Sequence, residues 1–153
     1  MKTENQQTEN VAGALNQLLE INNDRVEGYK KALHETDQSD LKDLFKEMAE
    51  HSFKIRNELA NEVIKLNQKP STGTSTSGKV FRAWMDLRAA LTQKDRKAIL
   101  SSCEFGEDAA QETYESVLKS DKLAPDVRSL ISQQKEILRQ DHNKVKGLRD
   151  SVK

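Results

Sequence analysis

The segment Lys69-Pro70-Ser71-Thr72-Gly73-Thr74-Ser75-Thr76-Ser77-Gly78 interrupts a chain otherwise patterned for long helices. Proline removes a backbone donor and fixes φ, and the serines, threonines and glycines that follow favour a loop. Upstream, Val11, Leu15, Leu18, Leu19, Val26, Tyr29 and Leu33 recur at spacings of three and four, which predicts a helix over 8–36. Leu41, Leu44, Phe45, Met48, Ile55, Leu59, Val63 and Leu66 repeat the pattern and predict a second helix over 40–67, with Ser39 as its cap. So short a break between the two makes them antiparallel neighbours.

Downstream, Val80, Trp84, Leu87 and Leu91 predict a short helix over 79–91 anchored by Trp84. Ile99, Cys103, Ala110, Tyr114, Val117 and Leu118 predict a helix over 95–119. Pro125, at a first helical position where its missing N–H costs nothing, opens a last helix over 125–151. A helix of about 28 residues is ~42 Å long at 1.5 Å per residue. A chain entering a parallel third helix must travel back that far, which 68–78 can span when nearly extended, with further reach from the short helix. The expected architecture is therefore all-α: a ferritin-like four-helix bundle of two antiparallel helical hairpins joined by a long crossover, 68–94, containing a short extra helix. Residues 1–7 are expected to be a flexible start, and 8–153 a single domain.

Composition excludes several function classes. The 25 basic and 25 acidic residues cancel, leaving no field to gather nucleic acid or an anionic membrane. No segment approaches the ~20 apolar residues of a membrane span, and the polar start lacks a signal peptide, so the expected location is cytoplasmic. Cys103 is the single cysteine, which rules out an intrachain disulfide and a cysteine-based zinc site.

A weak internal repeat runs through the chain: aligning Tyr29 with Tyr114 also places Leu15 on Leu100, Asn22 on Glu107 and Leu33 on Leu118. In Asp24-Arg25-Val26-Glu27-Gly28-Tyr29, Trp84-Met85-Asp86-Leu87-Arg88-Ala89-Ala90-Leu91 and Cys103-Glu104-Phe105-Gly106-Glu107-Asp108-Ala109-Ala110 with Tyr114, the chain resembles an uncharacterised family of bacterial ferritin-like four-helix-bundle proteins, a domain of unknown function. The resemblance covers most of the chain from the first helix onward. It implies the ferritin-like fold and carries no established activity.

A di-iron site in such a bundle needs inward carboxylates and Glu-x-x-His pairs, because carboxylates bridge the metals and imidazoles cap them. Following each apolar stripe inward at mid-helix gives Asn22, then His51 or Ser52, then Glu107, then Gln134 or Asp141. Glu107 lies seven residues before Tyr114, a spacing similar to that of a ligand glutamate and a tyrosine in ferritins, but the equivalent position in the first helix is Asn22, and an amide cannot bridge metals. Met48 and Arg139 stand three residues before His51 and His142, so neither histidine completes a Glu-x-x-His pair. Glu47 and His51, at i and i+4, can share an ion. The candidate metal ligands are thus Glu107, His51, Asp141 and Glu47. The competing reading makes Asn22, His51, Glu107 and Asp141 a hydrogen-bonded polar layer that fixes helix register. His34 and His142 read as surface residues.

Other features are blander. His142-Asn143-Lys144-Val145-Lys146-Gly147 misses the phosphotransfer pattern His-x-x-Lys-Gly by one residue, about 100° around the helix. Cys103 lies on an apolar stripe and reads as a core thiol. Gly28, Gly106 and Gly147 each cost a helix ~1 kcal/mol relative to alanine, which predicts close helix approach there. Tyr29 and Tyr114 are expected in the core with hydroxyls reaching outward. The reading that follows is a non-enzymatic helical-bundle protein with a structural, interaction or stress-related role, no cofactor, and a second copy or another protein as partner, with no nucleic acid and no membrane. The alternative is a degenerate ferritin-like protein that binds iron or another divalent metal at the four candidate ligands.

Overall fold

The computed structural model describes residues 2–152, with side chains from residue 6 onward. It contains α1 (Lys2–Glu35), α2 (Ser39–Lys65), α3 (Gly78–Gln93), α4 (Arg96–Leu118) and α5 (Pro125–Asp150), and no strand among the described residues. No helix among them is long and apolar enough to cross a membrane. α1 begins at Lys2 rather than at residue 8, so residues 2–7, expected to be a flexible start, lie within the helix; Met1 lies outside the described residues. The early turns carry glutamate and glutamine, good helix formers without an apolar stripe, and periodicity alone passes over them. Ser39 is the first residue of α2 and not its cap. The cap position belongs to Gln38, which makes no side-chain cap; its Oε1 instead accepts from Arg96, at the start of α4. α2 ends at Lys65 because Asn67 turns left-handed, with φ 58°. Asparagine tolerates that conformation.

The chain's path follows from its contacts. α1 packs along α2, α4 along α5 and α3 along α4, with smaller contacts joining α1 to α4 and α2 to α5. After α2 the backbone does not hang free. Asn16 Nδ2 donates to the Lys69 carbonyl at 3.2 Å and Asn16 Oδ1 accepts from Ser71 N at 2.9 Å. Asn23 Nδ2 donates to the Gly73 carbonyl at 2.8 Å, and Asp24 Oδ2 accepts from Ser75 N at 3.0 Å. As the connection advances from 69 to 75 its partners advance from 16 to 24, so it runs parallel to α1. α3 continues in that direction, capped by Ser77 Oγ, and ends at left-handed Lys94, after which Asp95 caps α4. The connection and α3 share the return journey, and α4 then descends against α1.

The apolar core falls into two parts. One gathers Leu15, Leu18, Leu19, Ile55, Leu59, Tyr114 and Ile131; the other gathers Tyr29, Leu41, Phe45, Met48, Leu87, Ile99 and Val145. Between them lie buried polar side chains. Trp84 bridges both parts from α3, its ring meeting Tyr29 edge-on at 5.0 Å and 72°. It lies directly on Gly28, where a Cβ would overlap Cζ3, Cε3 and Cη2 of the indole. The expected close approach is therefore real at Gly28. It is absent at Gly147, where a Cβ would meet nothing within 4 Å, and ordinary at Gly106, where it would meet Ala83 Cβ at 3.5 Å.

Candidate functional site

Asn22, Arg25 and Tyr29 stand at i, i+3 and i+7 on α1, which places all three on its inward face. α2 contributes Ser52, α4 contributes Glu107 and Tyr114, and α5 contributes Gln134 and Asp141. Arg25 is the centre of this layer, with 2% of its side chain exposed. Its Nε donates to Glu107 Oε2 at 3.0 Å, and Nη2 donates to Glu107 Oε1 at 2.6 Å and to Asp141 Oδ2 at 3.0 Å. Nη1 donates to Ser52 Oγ, which in turn donates to Asn22 Oδ1 at 2.8 Å. Every nitrogen of the guanidinium has an acceptor, the condition under which a buried charge is tolerated. Burial pulls its pKa down, but Glu107, Tyr29 and Asp141 outweigh burial and hold it above the usual range.

Both tyrosines point inward, contrary to the expected outward hydroxyls. Tyr29 OH donates to Glu107 Oε2 at 2.7 Å, and Asn22 Nδ2 donates to Tyr114 OH at 3.0 Å. Each tyrosine thus meets the residue that lies seven positions before the other, the pairing that the internal alignment of Asn22 with Glu107 implies. Tyr114 OH donates onward to Gln134 Oε1 at 3.0 Å. The hydroxyls have partners here that solvent would otherwise supply. Burial, reinforced by Glu107, holds the Tyr29 hydroxyl protonated well above its ordinary range, and burial does the same for Tyr114 and for the Cys103 thiol. None of the three is poised to lose a proton.

Of the four residues expected to form a polar layer, Asn22, Glu107 and Asp141 are joined through Arg25 and Ser52, and His51 touches Asp141 alone among them. At the edge of the layer, His51 Nδ1 lies 3.0 Å from both oxygens of Asp141. A carboxylate only accepts, so Nδ1 carries the proton there. Of the four expected metal ligands, Glu47, His51 and Asp141 bring ligand atoms within 4.8 Å of one another. Glu107 does not join them, because Arg25 and Tyr29 occupy its two oxygens. Glu47 is also engaged, receiving Lys144 Nζ at 2.8 and 2.9 Å. That hydrogen bond holds its carboxyl below the usual range against the opposing effect of burial. The central residues do not fit a two-metal centre: among the described residues the fully buried carboxylates are Glu107 and Asp141, and a guanidinium already bridges them.

Two features escape the sequence reading. Arg25 sits within a quoted motif, and its signal is a charge on the apolar stripe one turn beyond Asn22. The second is a separate cluster of Glu104, Asp108 and His142, whose ligand atoms also lie within 4.8 Å of one another. His142 is not free in solvent: Nε2 lies 2.6 Å from Asp108 Oδ1.

Between α1 and α3 lies an open groove of about 250 Å³, lined by Gly28, Trp84, Phe81 and Met85 with Asp24 at its rim. Burial pushes Asp24 from its ordinary 3.8 up to about 6, the Ser75 N–H pulling it down and Glu20 pushing it up. A carboxyl with a raised folded pKa binds its proton more tightly when folded, so this site's stability is present at low pH and lost as pH rises from about 4 through about 6. Asp24→Asn is therefore expected to be more stable than the wild type above pH 6, the difference vanishing below pH 4, in urea titrations across that range.

A profile of the family described as Domain of unknown function (DUF2383) matches residues 10–120, more than half of the chain. The chain belongs to the DUF2383 family. Asn22, Arg25, Tyr29, Ser52, Glu107 and Tyr114 all lie within the matched stretch of this DUF2383 protein, as do α3 and its Trp84. Gln134 and Asp141, which complete the layer from α5, lie beyond it. No curated protein matches the DUF2383 chain significantly.

Proposed function

We propose that this DUF2383 chain is a non-enzymatic ferritin-like four-helix bundle, formed by α1, α2, α4 and α5, in which an arginine stands where such bundles hold metal ions. Its role is structural or interactive and is exerted through its surface. One observation carries this reading: the Arg25 guanidinium, fully paired, lies between Glu107 and Asp141. An acid–base catalyst needs a group free to exchange protons with substrate, whereas these hydrogen bonds all close on one another. The direction of the crossover along α1 supports the bundle topology.

A second reading, metal binding at the bundle's edge through Glu47, His51 and Asp141, draws support from their convergence. Against it stand Lys144 on both oxygens of Glu47 and Arg25 on Asp141, two cations that an incoming ion must displace. Titration with ferrous iron and manganese under anaerobic conditions separates the two. The expected outcome is that Glu107→Ala and His51→Ala leave metal uptake unchanged and that admitting oxygen produces no ferric absorbance. Micromolar uptake abolished by Glu107→Ala would overturn the closed centre, and uptake abolished by His51→Ala would establish the second reading.

A further inference from the structure

The cluster of Glu104, Asp108 and His142 lies on the α4–α5 seam, outside the arginine-centred layer. Glu104 and Asp108 are one turn apart on α4, and His142 reaches them from α5. Asp141 and His142 are adjacent in sequence, so their side chains leave α5 about 100° apart. Asp141 serves the buried layer and His142 serves this second place.

Glu104 sets this cluster apart from a chance grouping of surface charges. Its Oε1 accepts from Arg149 Nη1 at 2.8 Å. Its Oε2 is shut off from water and has no hydrogen-bond partner among the described residues, the one such side-chain atom there. A carboxylate oxygen buried without a donor is unfavourable, the more so when the group is charged. A donor or a cation would relieve that cost, and Asp108 and His142 place ligand atoms within 4.8 Å of a carboxylate oxygen of Glu104. Arg149 is paired with one oxygen of Glu104, whereas Lys144 occupies both oxygens of Glu47 in the other cluster. Asp108 is half exposed, so the cluster has an open side.

We propose that Glu104, Asp108 and His142 form a binding site for one divalent cation of the borderline class, such as zinc, which clips α4 to α5. Two carboxylates and one imidazole suit that class, with water completing the coordination. Ligand atoms about 2.0–2.2 Å from a tetrahedral ion stand about 3.3 Å apart. The observed atoms lie within 4.8 Å of one another, and rotamer adjustments close the gap. His142 Nε2 lies 2.6 Å from Asp108 Oδ1. On binding, Nε2 offers its lone pair to the metal, and the ring's proton resides at Nδ1, beside Asn143 Oδ1 at 3.4 Å. A neighbour that holds the other ring nitrogen's proton is what a metal-binding histidine requires. An ion held there brings two positive charges to the Glu104 carboxylate, one oxygen of which otherwise has no partner among the described residues. The site is independent of whether the central layer is closed.

The test is calorimetric titration of the full-length, untagged protein with zinc chloride, together with thermal melts. The wild type is expected to bind one equivalent with micromolar or tighter affinity and to melt at a higher temperature when loaded. His142→Ala is expected to abolish binding, and Asp108→Asn, at an exposed position that does not threaten folding, to weaken it at least tenfold. His51→Ala is expected to bind as the wild type does. No binding by the wild type, or binding that survives both His142→Ala and Asp108→Asn, overturns the proposal. Loss of binding in His51→Ala alone would move the ion to the other cluster and overturn it equally.

Discussion

Arg25→Met is expected to lower the stability of the protein by about 3–5 kcal/mol, the range observed when one member of a buried ion pair is removed. For a chain of this size that corresponds to a fall in Tm of roughly 10–15 °C. Methionine fills much of the space and keeps helix propensity, so the effect isolates the charge. Glu107 and Asp141 are each 1% exposed, and without Arg25 they face each other with no cation between them. Tyr29 remains to donate to Glu107 but is neutral. Adding Glu107→Gln to Arg25→Met removes one of the stranded charges and is expected to restore part of the loss. A double-mutant cycle in urea measures the coupling. Independent effects of the two substitutions would show that Arg25 contributes by packing alone.

The second large effect is expected at Gly28. Replacing a helical glycine by alanine normally stabilises a protein by ~1 kcal/mol. At Gly28 the sign reverses, because the new methyl would overlap three indole carbons of Trp84. The ring has little room to retreat, since Trp84 packs edge-on against Tyr29, and Tyr29 stacks on Phe45 at 5.7 Å and is tied to Glu107. Overpacking of this kind costs about 1–3 kcal/mol. Gly28→Ala is expected to be destabilised by that amount, with a red-shifted emission from Trp84, the sole tryptophan, as α3 lifts from α1. Gly147→Ala, where a Cβ meets open space, serves as the control and is expected to gain stability. Equal effects at the two glycines would mean that α3 is not seated on α1 as described.

Much of this was legible in the sequence, for definable reasons. The helices follow from apolar residues at spacings of three and four, a local property that needs no knowledge of partners. Asn22, Glu107 and Asp141 are likewise visible as polar interruptions of apolar stripes. Arg25 was not legible as the centre of the site. An arginine at the edge of a stripe ordinarily extends its head into water. Its partners Glu107 and Asp141 lie 82 and 116 residues away, so only the packing of α1 against α4 and α5 reveals that its head turns inward. The second cluster was missed for the same reason, His142 finding its carboxylates on another helix. The cap of α2 failed differently, because Gln38 is claimed by Arg96 from the far side of the crossover.

The connection between α2 and α3 carries one more consequence. Asn16, Asn23 and Asp24 grip it by backbone carbonyls and amides, and α1 also holds the Ser71 side chain, through Glu20. The instructions for the loop's course are therefore written in α1 and not in the loop. Sequence drift between 72 and 76 can proceed while the path persists, whereas a change in three residues of a helix, remote from any turn, would erase it.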